Sequence, residues 1–186
     1  MSAAAFNIVL FAALLHAIWN AIVKGSDDKM LTTALITIFA AVISALVLPF
    51  LTAPAPASWP YLIASTILQT GYFSLVAVTY RAANMSLAYP LMRGAAPLIV
   101  TLTSVLWLGE ALSAGAWKGI FLICAGIITL ASAARGTDGR GIFFASVTAF
   151  MIAAYTLVDG AGVRLSGSPA AYTLWLSLLT GLPFGL

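Results

Sequence analysis

The sequence predicts an all-α fold, a polytopic transmembrane helix bundle of about seven spans. Three observations carry that prediction. Of 186 residues, 62% are hydrophobic and only 7% are charged, whereas a soluble domain is roughly a quarter charged. The apolar residues gather into runs close to the ~20 residues needed to cross a hydrocarbon core of roughly 30 Å. The connections between runs are short and rich in turn residues. So few charges cannot cover a soluble protein of this length, so lipid must solvate most of the surface.

The first run covers residues 3–23 and the second 30–51. The third, 59–80, opens with Pro60 in its first turn, where a missing N–H costs nothing. Ser86 is a candidate cap for the fourth run, 87–108, and Ser113 for the fifth, 114–134. The sixth covers 141–159, and the seventh starts near Pro169 and is still apolar at Leu186. The connections "GSDDK", "TAPAPAS", "RAANM", "GEALS", "RGTDGR" and "GAGVRLSGS" leave no room for a soluble domain. Loops this short predict that consecutive helices run antiparallel as neighbours. The start, "MSAAAFNIVL", lacks a basic n-region, and the run after it is too long for a signal peptide, so it reads as a retained span.

Other classes are poorly supported. The net charge of +3 is small and scattered, unlike the basic face of a nucleic-acid binder, so no nucleic-acid partner is expected. Cys124 is the only cysteine, which rules out an internal disulfide or a cysteine zinc site. There is no H-E-x-x-H, no nucleophile elbow and one histidine, so neither enzyme chemistry nor a cofactor is expected.

Sliding the chain on itself suggests a repeat. "NAIVKG" from Asn20 lies over "YTLVDG" from Tyr155, an offset of 135, and "LPF" at Leu48 recurs at Leu182, an offset of 134. A period of five helices is odd, so the second copy must cross the membrane in the opposite sense. Inverted repeats of this kind are typical of secondary transporters. Residues 1–134 then form a first five-helix repeat, and 141–186 the start of a second. Three further helices are expected beyond these residues.

Two stretches resemble EamA-like members of the drug/metabolite transporter superfamily. One is "HAIWNAIVK" on the first run. The other is "LWLGEALSAGAWKGIFLICAGIITL", with Gly109, Glu110, Trp117, Gly119 and Gly126. The resemblance spans the whole chain. It implies two inverted five-helix repeats around a central cavity in a multi-pass protein of the bacterial inner (plasma) membrane. The implied activity is movement, often outward, of small polar organic metabolites or drugs by alternating access. A non-transporting membrane component, or a truncated remnant needing a partner chain, is the alternative reading.

Polar residues within the runs are candidate sites, because ionisable groups at bilayer depth are costly. His16, Trp19 and Asn20 share one face of the first run at i, i+3, i+4. That face either lines a cavity or makes hydrogen bonds between helices. Lys24, at the run's end, is expected to snorkel to the headgroups. Arg93 stands about 10 Å in from Leu87 at 1.5 Å per residue, among Pro90, Gly94 and Pro97. It is a candidate contact for an anionic group, or else half of a structural ion pair. Ser65, Gln69, Tyr72 and Tyr80 share a broad face of the third run, read as a cavity wall or as interhelical glue. The substrate-binding candidates are therefore His16, Trp19, Asn20, Gln69, Tyr72 and Arg93.

Asp159 ends the sixth run where Lys24 ends the first, and is read as an interfacial group or an ion-coupling carboxylate. Glu110 is expected to be solvated. Gly115, Gly119 and Gly126 line one face of the fifth run, for close packing within the chain or for self-association. Loops one, three and five hold Lys24, Lys29, Arg81, Arg135 and Arg140, against Lys118 and Arg164 in the even loops. That bias places the N-terminus outside. The resemblance implies the reverse, so orientation stays open.

Overall fold

The structure is a computed structural model. It describes residues 25–83, 85–109, 111–133 and 139–185, together with 6, 7, 10, 11, 14, 15, 18, 22 and 23. Among these, every regular element is helical. Helix α1 is Lys29–Val47, followed by a 3-10 turn at Leu48–Phe50; a second such turn, Pro56–Ser58, leads into α2, Trp59–Ala82. Then come α3, Met85–Leu108; α4, Ala114–Ala133; α5, Gly139–Ser166; and α6, Pro169–Gly185.

Among the described residues, four stretches are long and apolar enough to cross a membrane: Met30–Phe50, Pro56–Ala82, Leu87–Leu106 and Gly139–Ser166. Their outward faces are bare hydrocarbon, with Phe50 86%, Leu106 75% and Phe150 65% exposed. Large apolar side chains this exposed on several helices suit lipid and not water.

Local chemistry sets the helix ends. Asp28 caps α1, its Oδ1 accepting from the backbone N–H groups of Met30 and Leu31, both at 3.0 Å. Pro60 sits in the first turn of α2, as expected. Ser113 caps α4 by accepting from the Ala116 N–H at 3.2 Å. The fourth run's helix begins at Met85, one residue before the expected cap position Ser86. Gly167 turns α5 into α6 at φ +65°, a conformation open to glycine. The Ser166 carbonyl beside it accepts from the Ala55 N–H at 2.9 Å.

Helix α5 differs most from the expected sixth run. It does not stop at Asp159 but runs on to Ser166. The glycines at 160 and 162 lower its intrinsic propensity, but packing outweighs propensity here. Gly162 is buried where α6 crosses, and Ser166 ends the helix by donating to the Val163 carbonyl at 2.7 Å.

Helix α5 is also the hub. It packs against α2 and α3, while α6 packs chiefly against α1. Consecutive helices α1 and α2, and likewise α2 and α3, barely meet, contrary to the expectation from loop length. A short loop brings two helix ends together but does not choose which faces pack. The choice falls to a ridge on α5 made of Gly141, Ala145, Ala149 and Ala153, all buried. The four lie at i+4 spacing, on one face. Small residues let backbones approach closely, so α2 and α3 close onto this ridge.

At Gly141 there is no room for a side chain, since an added Cβ would stand 2.6 Å from Ala83 Cβ and 2.8 Å from the Ala82 carbonyl oxygen. Nearby, Thr79 on α2 and Thr148 on α5, both fully buried, bring their hydroxyls to 3.0 Å. Each hydroxyl also reaches a carbonyl of its own helix at 2.7 Å. Two protons serve these three contacts, so one hydroxyl shares its proton between its own helix and the bridge.

Two apolar clusters complete the interior. Tyr72, Ala88, Met92, Ala96, Ala145 and Ile152 join α2, α3 and α5. Leu62, Tyr172 and Leu176 join α2 to α6, with Trp59 and Trp175 edge to face at 5.0 Å. The glycine face of the fifth run plays no such part. An added Cβ at Gly119 or Gly126 meets nothing within 4 Å, and at Gly115 only Ser113 Oγ at 3.8 Å. The close packing expected there occurs on the next helix instead.

Gly141→Ala is expected to lower the thermal midpoint in detergent, at a cost of about 1–3 kcal/mol for overpacking. Gly119→Ala should leave it unchanged or raise it, since alanine favours a helix by about 1 kcal/mol over glycine. Equal effects of the two would show that the α2–α5 approach is looser than described.

Candidate functional site

Of the six candidate residues, His16, Trp19 and Asn20 lie outside the described residues, as do Lys24 and Glu110. The other three divide between two neighbouring spaces.

Gln69 lines an open cleft of about 880 Å³. Its walls are α1 through Thr33, Ile36, Thr37 and Ala40, α2 through Gln69 and Phe73, and α6 through Thr173, Ser177 and Thr180, with Leu15 and Ile18 of the N-terminal segment. The cleft exists because α1 closes on α6 and scarcely touches α2. That closure needs Gly181, where an added Cβ would lie 2.5 Å from Ala41 Cβ and 2.7 Å from the Thr37 carbonyl oxygen. Its volume falls in the range of small-molecule sites, roughly 300–1,000 Å³.

Tyr72 and Arg93 line a much smaller space on the other side of Phe73, with Tyr80, Tyr89, Met92 and Ile152. It holds about 10 Å³, close to the least that admits one water. Arg93 Nη2 donates to the Tyr72 hydroxyl at 3.3 Å. The Tyr72 ring meets Tyr155 edge to face at 5.6 Å and Phe73 at 5.2 Å. The guanidinium is thus set among aromatic rings and faces no carboxylate among the described hydrogen bonds.

Behind Gln69 stands Asp159, on the face of α5 toward α2 and α6. Gln69 Nε2 donates to Asp159 Oδ2 at 3.1 Å and approaches Ser65 Oγ at 3.3 Å. The Tyr172 hydroxyl donates to Asp159 Oδ1 at 3.2 Å. One carboxylate therefore ties three helices together, and both of these partners are neutral. It lies seven residues before the end of α5 at Ser166, about 10 Å into the helix. The reading of Asp159 as a group at a helix end is corrected accordingly. Gly162 makes this geometry possible, because a Cβ there would collide with the Tyr172 hydroxyl and ring.

Thr180 is the one described side chain whose buried polar atom lacks a hydrogen-bond partner. It is 4% exposed and lines the cleft. The sequence reading passed over Thr173, Ser177 and Thr180, although their i, i+4, i+7 spacing is a polar stripe on one helix face. Tyr172 carries no such signal, since only the crossing of α6 over α5 brings it to Asp159. No group of three or more His, Cys, Asp or Glu able to hold a metal occurs among the described residues.

The chain matches no family model, and no curated protein or solved structure matches it.

Tyr172→Phe and Asp159→Asn are each expected to lower the thermal midpoint. The double variant should lose less than the sum, with a coupling of about 0.5–3 kcal/mol for directly bonded residues. Strict additivity in a double-mutant cycle would remove the Tyr172–Asp159 bond.

Proposed function

We propose that this chain is the N-terminal portion of an EamA-like transporter. In this reading it moves a small polar organic metabolite or drug across the bacterial inner membrane, outward, by alternating access. The observation that carries the proposal is the cleft of about 880 Å³, whose polar side chains come from two membrane-length helices, α1 and α2, and from α6. Gln69 stands at the midpoint of the Pro56–Ala82 span, as deep as a side chain on that helix can be. Polar groups at such depth face protein or water-filled space.

The repeat reading supports the same conclusion. Helices α1 and α6, whose sequences the offset of 134 sets in register, pack on one another. Two inverted repeats meeting around a cavity would bring such a pair together. The full architecture is then seven spans here, with 1–134 as the first repeat and 141–186 as the start of the second. His16, Trp19 and Asn20 stay substrate-binding candidates in this proposal, with Gln69, Tyr72 and Arg93. Rocking of one repeat against the other would open the cleft to each side in turn.

The test is solute movement by the complete protein in proteoliposomes, read by mass spectrometry of trapped solutes. Gln69→Ala should slow transport about fivefold to a hundredfold, the loss expected when a buried polar contact worth about 1–3 kcal/mol is removed. Leu106→Ala, on the lipid face, should leave transport unchanged. No movement of any small polar solute by the wild-type protein would favour the non-transporting component instead.

A further inference from the structure

The cleft has a chemical polarity of its own. Gln69 carries two amide hydrogens, and these point to Asp159 Oδ2 and Ser65 Oγ. A carboxylate accepts and does not donate, so the nitrogen end of the amide must face Asp159. The end left for the cleft is the carbonyl oxygen, an acceptor. The hydroxyls follow the same pattern. Thr37 donates to the carbonyls of Thr33 and Ala34, Thr173 to Pro169, and Ser177 to Thr173, at 2.8–3.0 Å. With their protons spent on their own helices, these oxygens present lone pairs.

Thr180 adds a buried hydroxyl oxygen with no hydrogen-bond partner among the described residues. A polar atom desolvated in this way calls for a hydrogen-bonding guest. No lysine, arginine or histidine lines the cleft among the described residues. Arg93 is turned away onto Tyr72. One hydrogen bond behind Gln69, the Asp159 carboxylate is met only by uncharged donors in its described hydrogen bonds. The rest of the wall is apolar, with Phe73 offering a ring and Ile36 a hydrocarbon surface.

Taking the cleft as the solute path of the proposed transporter, we infer that its ligand is a small organic ammonium ion with an apolar body. The ammonium N–H groups meet the Gln69 carbonyl and the Thr180 hydroxyl. The Asp159 carboxylate supplies the opposing charge through Gln69. The apolar body lies against Phe73 and Ile36, and the ring face adds a cation–π attraction. The Asp159 carboxylate one hydrogen bond behind Gln69 opposes an anionic solute by like charge, so the cleft favours the cation.

The experiment is equilibrium binding of radiolabelled phenethylammonium to the full chain in lipid nanodiscs. Unlabelled phenylpropionate and phenethyl alcohol serve as competitors of similar shape. Saturable binding is expected, with the ammonium ion favoured over the carboxylate by about tenfold or more. Thr180→Val and Asp159→Asn should each weaken it by about fivefold or more, with melting curves reporting whether each variant is folded. The wild-type competition stands even if a variant fails to fold. Equal or tighter binding of phenylpropionate, or no saturable binding of phenethylammonium, overturns the inference. Ammonium-selective binding without transport in proteoliposomes upholds the inference and removes the transport reading. Transport of anions without ammonium binding does the reverse.

Discussion

A carboxylate placed inside an apolar helix must be satisfied by its neighbours, and the arrangement of this bundle follows from how Asp159 is satisfied. Water is not available within hydrocarbon, and an unpaired charge there is costly. Asp159 instead recruits Gln69 from α2 and Tyr172 from α6. Holding those two donors requires α2 and α6 to cross α5 at one level. Gly162 supplies the space for the tyrosine to do so. The same bond turns Gln69, and so decides which end of its amide faces the cleft.

Around this node the helices are sorted by side-chain volume. The small-residue ridge of α5 draws in α2 and α3, and Gly181 lets α6 close on α1. Each close approach uses up a face, and the faces left over define the spaces. The wedge between α1 and α2 stays open as the large cleft, while rings from α2 and α3 almost fill the space around Arg93. Phe73 stands between the two. Size and charge are thus partitioned, with an acceptor-lined cleft on one side and a guanidinium held by tyrosines on the other.

Much of the bundle was legible in the chain, because hydropathy and turn chemistry are local. The runs at 30–51, 59–80 and 87–108 correspond to helices, and Pro60 and Ser113 act where their chemistry suggests. The face Ser65–Gln69–Tyr72 was visible from helical spacing, and all three residues do turn inward. The errors also have local causes. Asp159 followed by Gly160 looks like a stop signal, but tertiary packing carries the helix past it. The glycine pattern at Gly115 and Gly119 looks like a packing face, yet spacing alone cannot name a partner, and the buried ridge is the less obvious alanine run on α5.

What the sequence determined by itself was the solvent and the secondary structure. Both follow from composition and periodicity, which are properties of short stretches. The tertiary structure alone decided which helices touch and which polar groups meet. Gln69 and Asp159 are 90 residues apart, and no window of sequence relates them. Their meeting depends on where small side chains let two helices come close, and that is a property of paired surfaces.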